Sequence, residues 1–228
     1  SDSPDLFSPN SDGVNDSTTI TASITALSNW TIEIKDSSNN IKRTYTGTGV
    51  SINRGWDGKD ASLNVVPDGI YTYTIDAEDP VTHAKAAQVA GTVTVDTKID
   101  SALISNVTSG QSLSGKFDVK GIADDLNFYP WSRSPSAGLY YGQGASPTSW
   151  NIIDYLYSPV KLDSNDQPQV LKTWDTTVLT NGDYVLRLVV NDSAGNQKIV
   201  DVPVVLYNVN IYNLSDSPDP FSPNADGQ

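Results

Sequence analysis

Within seven residues, Asn10, Asp12, Asn15 and Asp16 gather four oxygen-bearing side chains around Gly13. Oxygen donors at alternate positions of a turning loop can converge on a hard cation, and glycine permits the turn. The expected metal site is therefore Asn10, Asp12, Asn15 and Asp16, with Asp5 as a further ligand and Ca2+ as the cofactor. The match to an EF-type loop is partial: Ser8 stands two positions before Asn10, and no Glu follows to close the site. The plainer alternative is a turn in which Asn and Asp bond their own backbone.

A second acidic set is Asp96 and Asp100, taken with Asp192 and Asn196 in a distant turn. Its pattern is that of calcium sites between tandem extracellular domains, although solvated turn residues are the simpler expectation. Eight of the 20 aromatic residues fall between Phe128 and Tyr157. Tyr141 and Trp150 suit a core. Tyr129 and Trp131, hemmed by Pro130 and Pro135, suit a contact surface for a partner or a glycan, together with Tyr140.

Catalysis is not expected. His83 is the sole histidine and there is no cysteine, which excludes a Cys–His pair and any multi-His metal site. No phosphate-cradling loop occurs, and no spacing singles out a carboxylate pair. Asn-x-Ser/Thr sequons at Asn15, Asn29, Asn106, Asn191 and Asn213 are what a chain rich in these residues generates by chance.

The elements that must position these groups are strands. Of the 27 acidic residues only Glu33 and Glu78 are glutamate, and Asp favours turns where Glu favours helices. Glycine and proline punctuate runs of Thr, Val, Ile and Tyr, which alternate with polar residues at the period of half-buried strands. Examples are residues 30–35, 71–75, 184–190 and 200–206, with a hairpin turn at 37–40 and a strand expected over 83–95. The net charge of −13 repels phosphate backbones, so nucleic acid is not an expected partner. No apolar stretch is long enough to insert in a membrane as a helix.

The chain also repeats itself. SDSPDLFSPNSDGV at residues 1–14 returns as SDSPDPFSPNADGQ at 215–228, identical at eleven of fourteen positions. An internal repeat at this offset fits a series of two-domain units. The expected division is 1–98, 99–214, and 215–228 as the start of a next repeat or a polymerising tail. Residues 96–100, free of Gly and Pro, imply a stiff junction. Both halves carry Trp-Asp followed by a turn and a Tyr, at Trp56 and Tyr71 and at Trp174 and Tyr184. Each Tyr is placed to act as a tyrosine corner.

FSPNSDGVND, WDGKD and VPDGIYTYTIDAED, in that order over residues 6–97, resemble bacterial immunoglobulin-like domains. Similar examples are the domain of the flagellar hook-capping protein and the C-terminal modules of proteins secreted by gliding bacteria. YYGQGASPTSW and LKTWDTTVLTNGDYVLRLVVNDSAGN in the second half are similar to Ig-like repeats of large extracellular proteins, with an insertion around 130–138. The resemblance implies an all-β chain of two tandem Ig-like sandwiches, outside the cell or on its surface, without catalysis. The expected function is a structural repeat of a rod or filament, partnered head to tail by copies of itself or adjacent repeats. The alternative is an adhesin stalk or a glycan-binding accessory module that uses residues 128–157.

Overall fold

Strand text of this kind becomes strands and nothing else. A computed structural model describes residues 1–209, and among these the regular elements are fourteen strands. The repeated segment 215–228 lies outside the described residues.

The longest elements are β3 (Thr18–Lys35) and β4 (Ile41–Trp56), joined by the expected turn. Asp36 builds that turn, its Oδ1 accepting the N–H groups of Ser38 and Asn40, each at 2.9 Å. The alternating text breaks near residue 27, yet β3 runs through the break as one strand whose register shifts between Ser23 and Ser28. Before the shift it pairs with β1 (Asp2–Ser3) and the end of β4; after it, with the start of β4 and with β5 (Gly69–Glu78). Then β6 (Val89–Val95) joins β5, and β2 (Leu6–Phe7) lies parallel to β6. An irregularity of this kind bends a strand. One hairpin thereby lines the core twice, with Ile20 and Ile52 from before the shift and Ile32, Ile34 and Tyr45 from beyond it.

Trp56, fully buried, is the centre of that core. Its ring meets Phe7 at 5.5 Å and Tyr71 at 5.4 Å, both edge-on, and its Nε1 donates to the Lys59 carbonyl at 3.0 Å. The Tyr71 hydroxyl donates to the Pro67 carbonyl at 2.7 Å, so this tyrosine forms the expected corner. The strand expected from residue 83 begins only at Val89. Asp79 caps a turn before it, accepting N–H groups from Val81 and Thr82 at 2.8 Å, and His83 adopts a positive φ of 58°. Local side-chain bonding outcompetes β-propensity there.

Residues 101–206 form two further sheets. One holds β7 (Ser101–Ile104), β9 (Lys116–Asp124) and β12 (Gln169–Asp175). The other runs β11 (Asn151–Tyr155), β10 (Gly138–Gln143), β13 (Gly182–Asn191), β14 (Gln197–Leu206) and β8 (Gln111–Leu113). Except for the parallel β8–β14 pair, the strands are antiparallel. The inner faces pack a second core around Trp174, Leu139, Leu186 and Leu206. Tyr141 stacks on Trp174 at 5.5 Å, and Tyr184 meets it edge-on at 6.4 Å. The Tyr184 hydroxyl bonds the Thr180 hydroxyl at 3.1 Å, a side-chain variant of the corner in the first unit. The chain is thus all-β, with two packed cores, one drawn from residues 7–95 and the other from 99–206.

Candidate functional site

Five residues, 96–100, separate β6 from β7, and the chain is held along this crossing. Asp96 N–H donates to the Phe7 carbonyl at 3.1 Å, Thr97 N–H to Asp68 Oδ1 at 2.9 Å, and Asp100 N–H to Asp125 Oδ2 at 3.1 Å. Ile99 is buried in the second core. The crossing is short because both ends are already in bonded structure.

Against this crossing lies the opening loop. Its acidic side chains turn inward on their own backbone. Asp16 accepts the N–H groups of Ser11 and Gly13 at 2.7 and 2.9 Å, Asp12 that of Val14 at 2.9 Å, and Asn10 that of Asp12 at 3.0 Å. The second Asp12 oxygen faces the guanidinium of Arg133, whose Nη1 also donates to the Gly195 carbonyl at 2.8 Å. Burial raises the Asp12 pKa, but the bond to Arg133 and those to the loop outweigh it and hold this carboxyl below its ordinary value. Asn15 Nδ2 donates to the Ala194 carbonyl at 3.1 Å. The four residues expected to bind calcium therefore do lie together, but the oxygens of Asn10, Asp12 and Asp16 face N–H donors, and the loop they shape rests on the 192–196 turn of the second unit.

The centre of this contact is Asn196, 3% exposed. Its Oδ1 accepts from Ser8 Oγ at 2.6 Å and Asn10 Nδ2 at 2.9 Å, while its Nδ2 donates to the Asp96 carbonyl at 2.8 Å and Asp192 Oδ2 at 2.7 Å. One amide thus ties the opening loop, the crossing and the turn together. Beside it, Gly195 has a φ of +98°, and a Cβ there would lie 2.6 Å from Val14 Cγ1. The Asp-x-x-Gly-Asn turn fits the FSPN loop because that position is bare.

Three carboxylates meet behind this clamp. Asp96 from the crossing, Asp125 after β9 and Asp192 after β13 each place an oxygen within 4.8 Å of the others. They are 8%, 2% and 0% exposed. Asn127 links two of them, donating Nδ2 to Asp96 Oδ2 at 2.6 Å and N–H to Asp125 Oδ1 at 2.7 Å. No Lys, Arg or His pairs with any of the three among the described residues, and residues 210–228 contain no basic side chain. Burial pushes all three pKa values up, that of Asp125 to about 6, against the hydrogen bonds each accepts; neighbouring carboxylates add to it, Asp68 and Asp100 at Asp96, Asp96 and Asp192 at Asp125, and Asp96 at Asp192. Buried like charges need protons or a cation. Hard carboxylate oxygens at this separation suit Ca2+, with carbonyls or water completing its shell. Of the second acidic set in the sequence, Asp96, Asp192 and Asn196 come together, while Asp100 stays at the edge, donating its N–H to Asp125 and accepting that of Leu126 at 3.3 Å. Asp125 was missed. The Asp-Asp pair ending β9 was its only local signal.

The aromatic candidates separate. Tyr129 and Trp131 are each 48% exposed. Tyr140 is buried at 8%, its hydroxyl donating to the Ser136 carbonyl at 2.8 Å. In its place Tyr155 and Tyr157 stand beside Trp131, with ring centres 5.0 and 6.1 Å away. His83 is exposed and bonds Glu78 at 2.6 Å.

Residues 1–95 match the CHU_C Type IX secretion signal domain family. The expected likeness to C-terminal modules of secreted bacterial proteins agrees with this. A search of curated proteins finds no match. Among solved structures, a tetra-tandem repeat from the extending region of a large adhesion protein is similar at 15% identity, TM-score 0.31, over 86% of this chain and 46% of that one. A surface glycan-binding protein of the mixed-linkage glucan utilization locus of Bacteroides ovatus, solved with a mixed-linkage heptasaccharide, is similar at 19% identity, TM-score 0.26, over 87% and 42%. The chain spans less than half the length of either. No helix among the described residues is long and apolar enough to cross a membrane. The first unit is thus similar in sequence to a secretion-signal domain, in keeping with the expected place outside the cell or on its surface.

Proposed function

We propose that the chain is a structural segment of a secreted surface protein, two Ig-like sandwiches joined end to end as a stiff, non-catalytic spacer. In this reading Ca2+, held by Asp96, Asp125 and Asp192, completes the joint. The observation that carries it is the buried junction. Three carboxylates, two of them from the second unit and one from the crossing, share a site with no basic side chain paired to them among the described residues, beneath the Asn196 clamp that ties the two units. Ionised and unpaired, they would push the units apart; with a divalent cation they hold them together. The ion would act by neutralising charge and bridging elements.

The repeated motif supports a series of such segments. The copy at 215–228 keeps Ser222, Asn224, Asp226 and Gly227 where the opening loop has Ser8, Asn10, Asp12 and Gly13. In the first unit Ser8, Asn10 and Asp12 bond the following unit, so a motif of this kind suits a sandwich with another after it. A covalent array is the simpler arrangement, and a head-to-tail joint between separate chains is the other.

Small-angle X-ray scattering of the two-unit chain, with calcium and after chelation, tests the spacer. The reading expects one well-defined maximum dimension with calcium and a broader distance distribution without it. Identical profiles would remove the cation from the joint.

A further inference from the structure

Away from the junction clamp, the second unit exposes aromatic rings that its own core does not use. Residue Trp131 lies in the segment between β9 and β10, which is firmly fixed. Buried Asn191 donates Nδ2 to the carbonyls of Pro130 at 3.2 Å and Pro135 at 3.1 Å, and Gln197 Nε2 donates to Pro135 at 3.0 Å. The segment also closes on itself through Ala137 N–H to the Pro130 carbonyl at 2.9 Å. A tryptophan held this tightly could have been turned inward, yet half of it faces solvent.

Its neighbours complete a surface. Tyr155, half-buried at the end of β11, tilts against Trp131 at 60°, and Tyr157, 67% exposed, meets Trp131 at 61°. At the edge, Lys172 on β12 sets its ammonium 5.8 Å from the Tyr157 ring centre and 2.7 Å from Asp154. The patch is thus an angled pair of rings with a third behind them and one donor–acceptor pair beside them.

We infer that Trp131, Tyr155 and Tyr157, with Asp154 and Lys172, bind a neutral polysaccharide. A pyranose ring has an apolar C–H face that packs on an aromatic ring and a rim of hydroxyls that can bond a carboxylate and an ammonium together. The angle between Trp131 and Tyr157 suits successive sugars that turn relative to one another. Other occupants fit less well. A full aromatic side chain buries about 150–250 Å², so three rings, each partly covered, offer far less than the roughly 800 Å² per partner of a stable protein interface. A net charge of −13 disfavours nucleic acids and acidic glycans alike. The rigid segment limits the ordering cost of binding. The inference does not depend on calcium or on the spacer reading.

Native gels containing hydroxyethyl cellulose, xyloglucan, galactomannan or starch provide the test, run with the full chain. At least one polysaccharide should retard it, and Trp131→Ala should weaken that retardation by about tenfold in affinity. Tyr157→Ala should do the same; being two-thirds exposed and outside the fixed segment, it tests the surface even if the tryptophan variant misfolds. Ile70→Ala, an exposed apolar change on β5 of the first unit, should alter nothing. The inference is overturned if no polysaccharide retards the wild type, or if both aromatic variants migrate as it does. It is equally overturned if sedimentation shows a dimer that Tyr157→Ala dissolves, which would make the patch a contact between copies.

Discussion

Replacing Asn196 by Ala is the sharpest test of the clamp, because one side chain makes four bonds there. Ser8 Oγ is fully buried and bonds nothing else among the described residues, so it loses its acceptor. The Asp96 carbonyl loses its amide donor in the same buried layer. Each such orphan costs about 1–3 kcal/mol, whereas Asn10 is exposed and can turn to water. The expected loss is therefore on the order of 2–6 kcal/mol, large beside the roughly 5–15 kcal/mol that stabilises an ordinary domain. Urea unfolding followed by tryptophan fluorescence measures it, since Trp56 and Trp174 report from different cores. The variant should separate a single transition into two, or move the units further apart in midpoint. A double-mutant cycle with Ser8→Ala should give a coupling of about 1 kcal/mol or more. A cost below about 0.5 kcal/mol with additive single effects would refute the clamp, for that is the range of ordinary surface changes.

Two further outcomes are expected. Gly195→Ala should destabilise the junction by about 1–3 kcal/mol, since its backbone is left-handed and the new Cβ would strike Val14; a neutral change in melting would show that the loop does not rest there. Tyr73, buried and bonded to Asp2 at 2.8 Å, has its pKa raised to about 12, first by burial and then by that bond. Because the folded state holds this proton longer than the unfolded chain, the contribution is complete below pH about 10 and is lost as pH rises toward about 12. Tyr73→Phe should flatten the alkaline limb of stability against pH, and an unchanged limb would contradict the assignment.

Much of the fold was legible because its signals are local. Alternation placed most strands, Asp36 and its neighbours set the hairpin, and Trp56 with Tyr71 announced the first core. The errors arose where distant groups decide. Residues 83–88 have strand-forming text, but Asp79 captures the backbone in a turn. Tyr140 alternates with Tyr141, which predicts one inside and one outside; both faces of β10 are covered, so Gly138, Leu139 and Tyr140 are buried in succession. The opening loop was readable as a cluster of oxygens but not as a clamp, since its partner Asn196 is 188 positions from Ser8. Asp96, Asp125 and Asp192 come from three separate segments that only tertiary folding joins. Trp131 stands out in the sequence because proline on either side marks a segment outside the strands, whereas Tyr155 and Tyr157 look like ordinary strand residues.

The most direct measurement is a calorimetric titration of the chelator-treated chain with calcium. The account predicts one ion per junction, with binding abolished by Asp192→Asn and retained by Asp16→Asn in the opening loop. Absence of binding, or binding that Asp16→Asn removes and Asp192→Asn leaves intact, would contradict a cation at the junction.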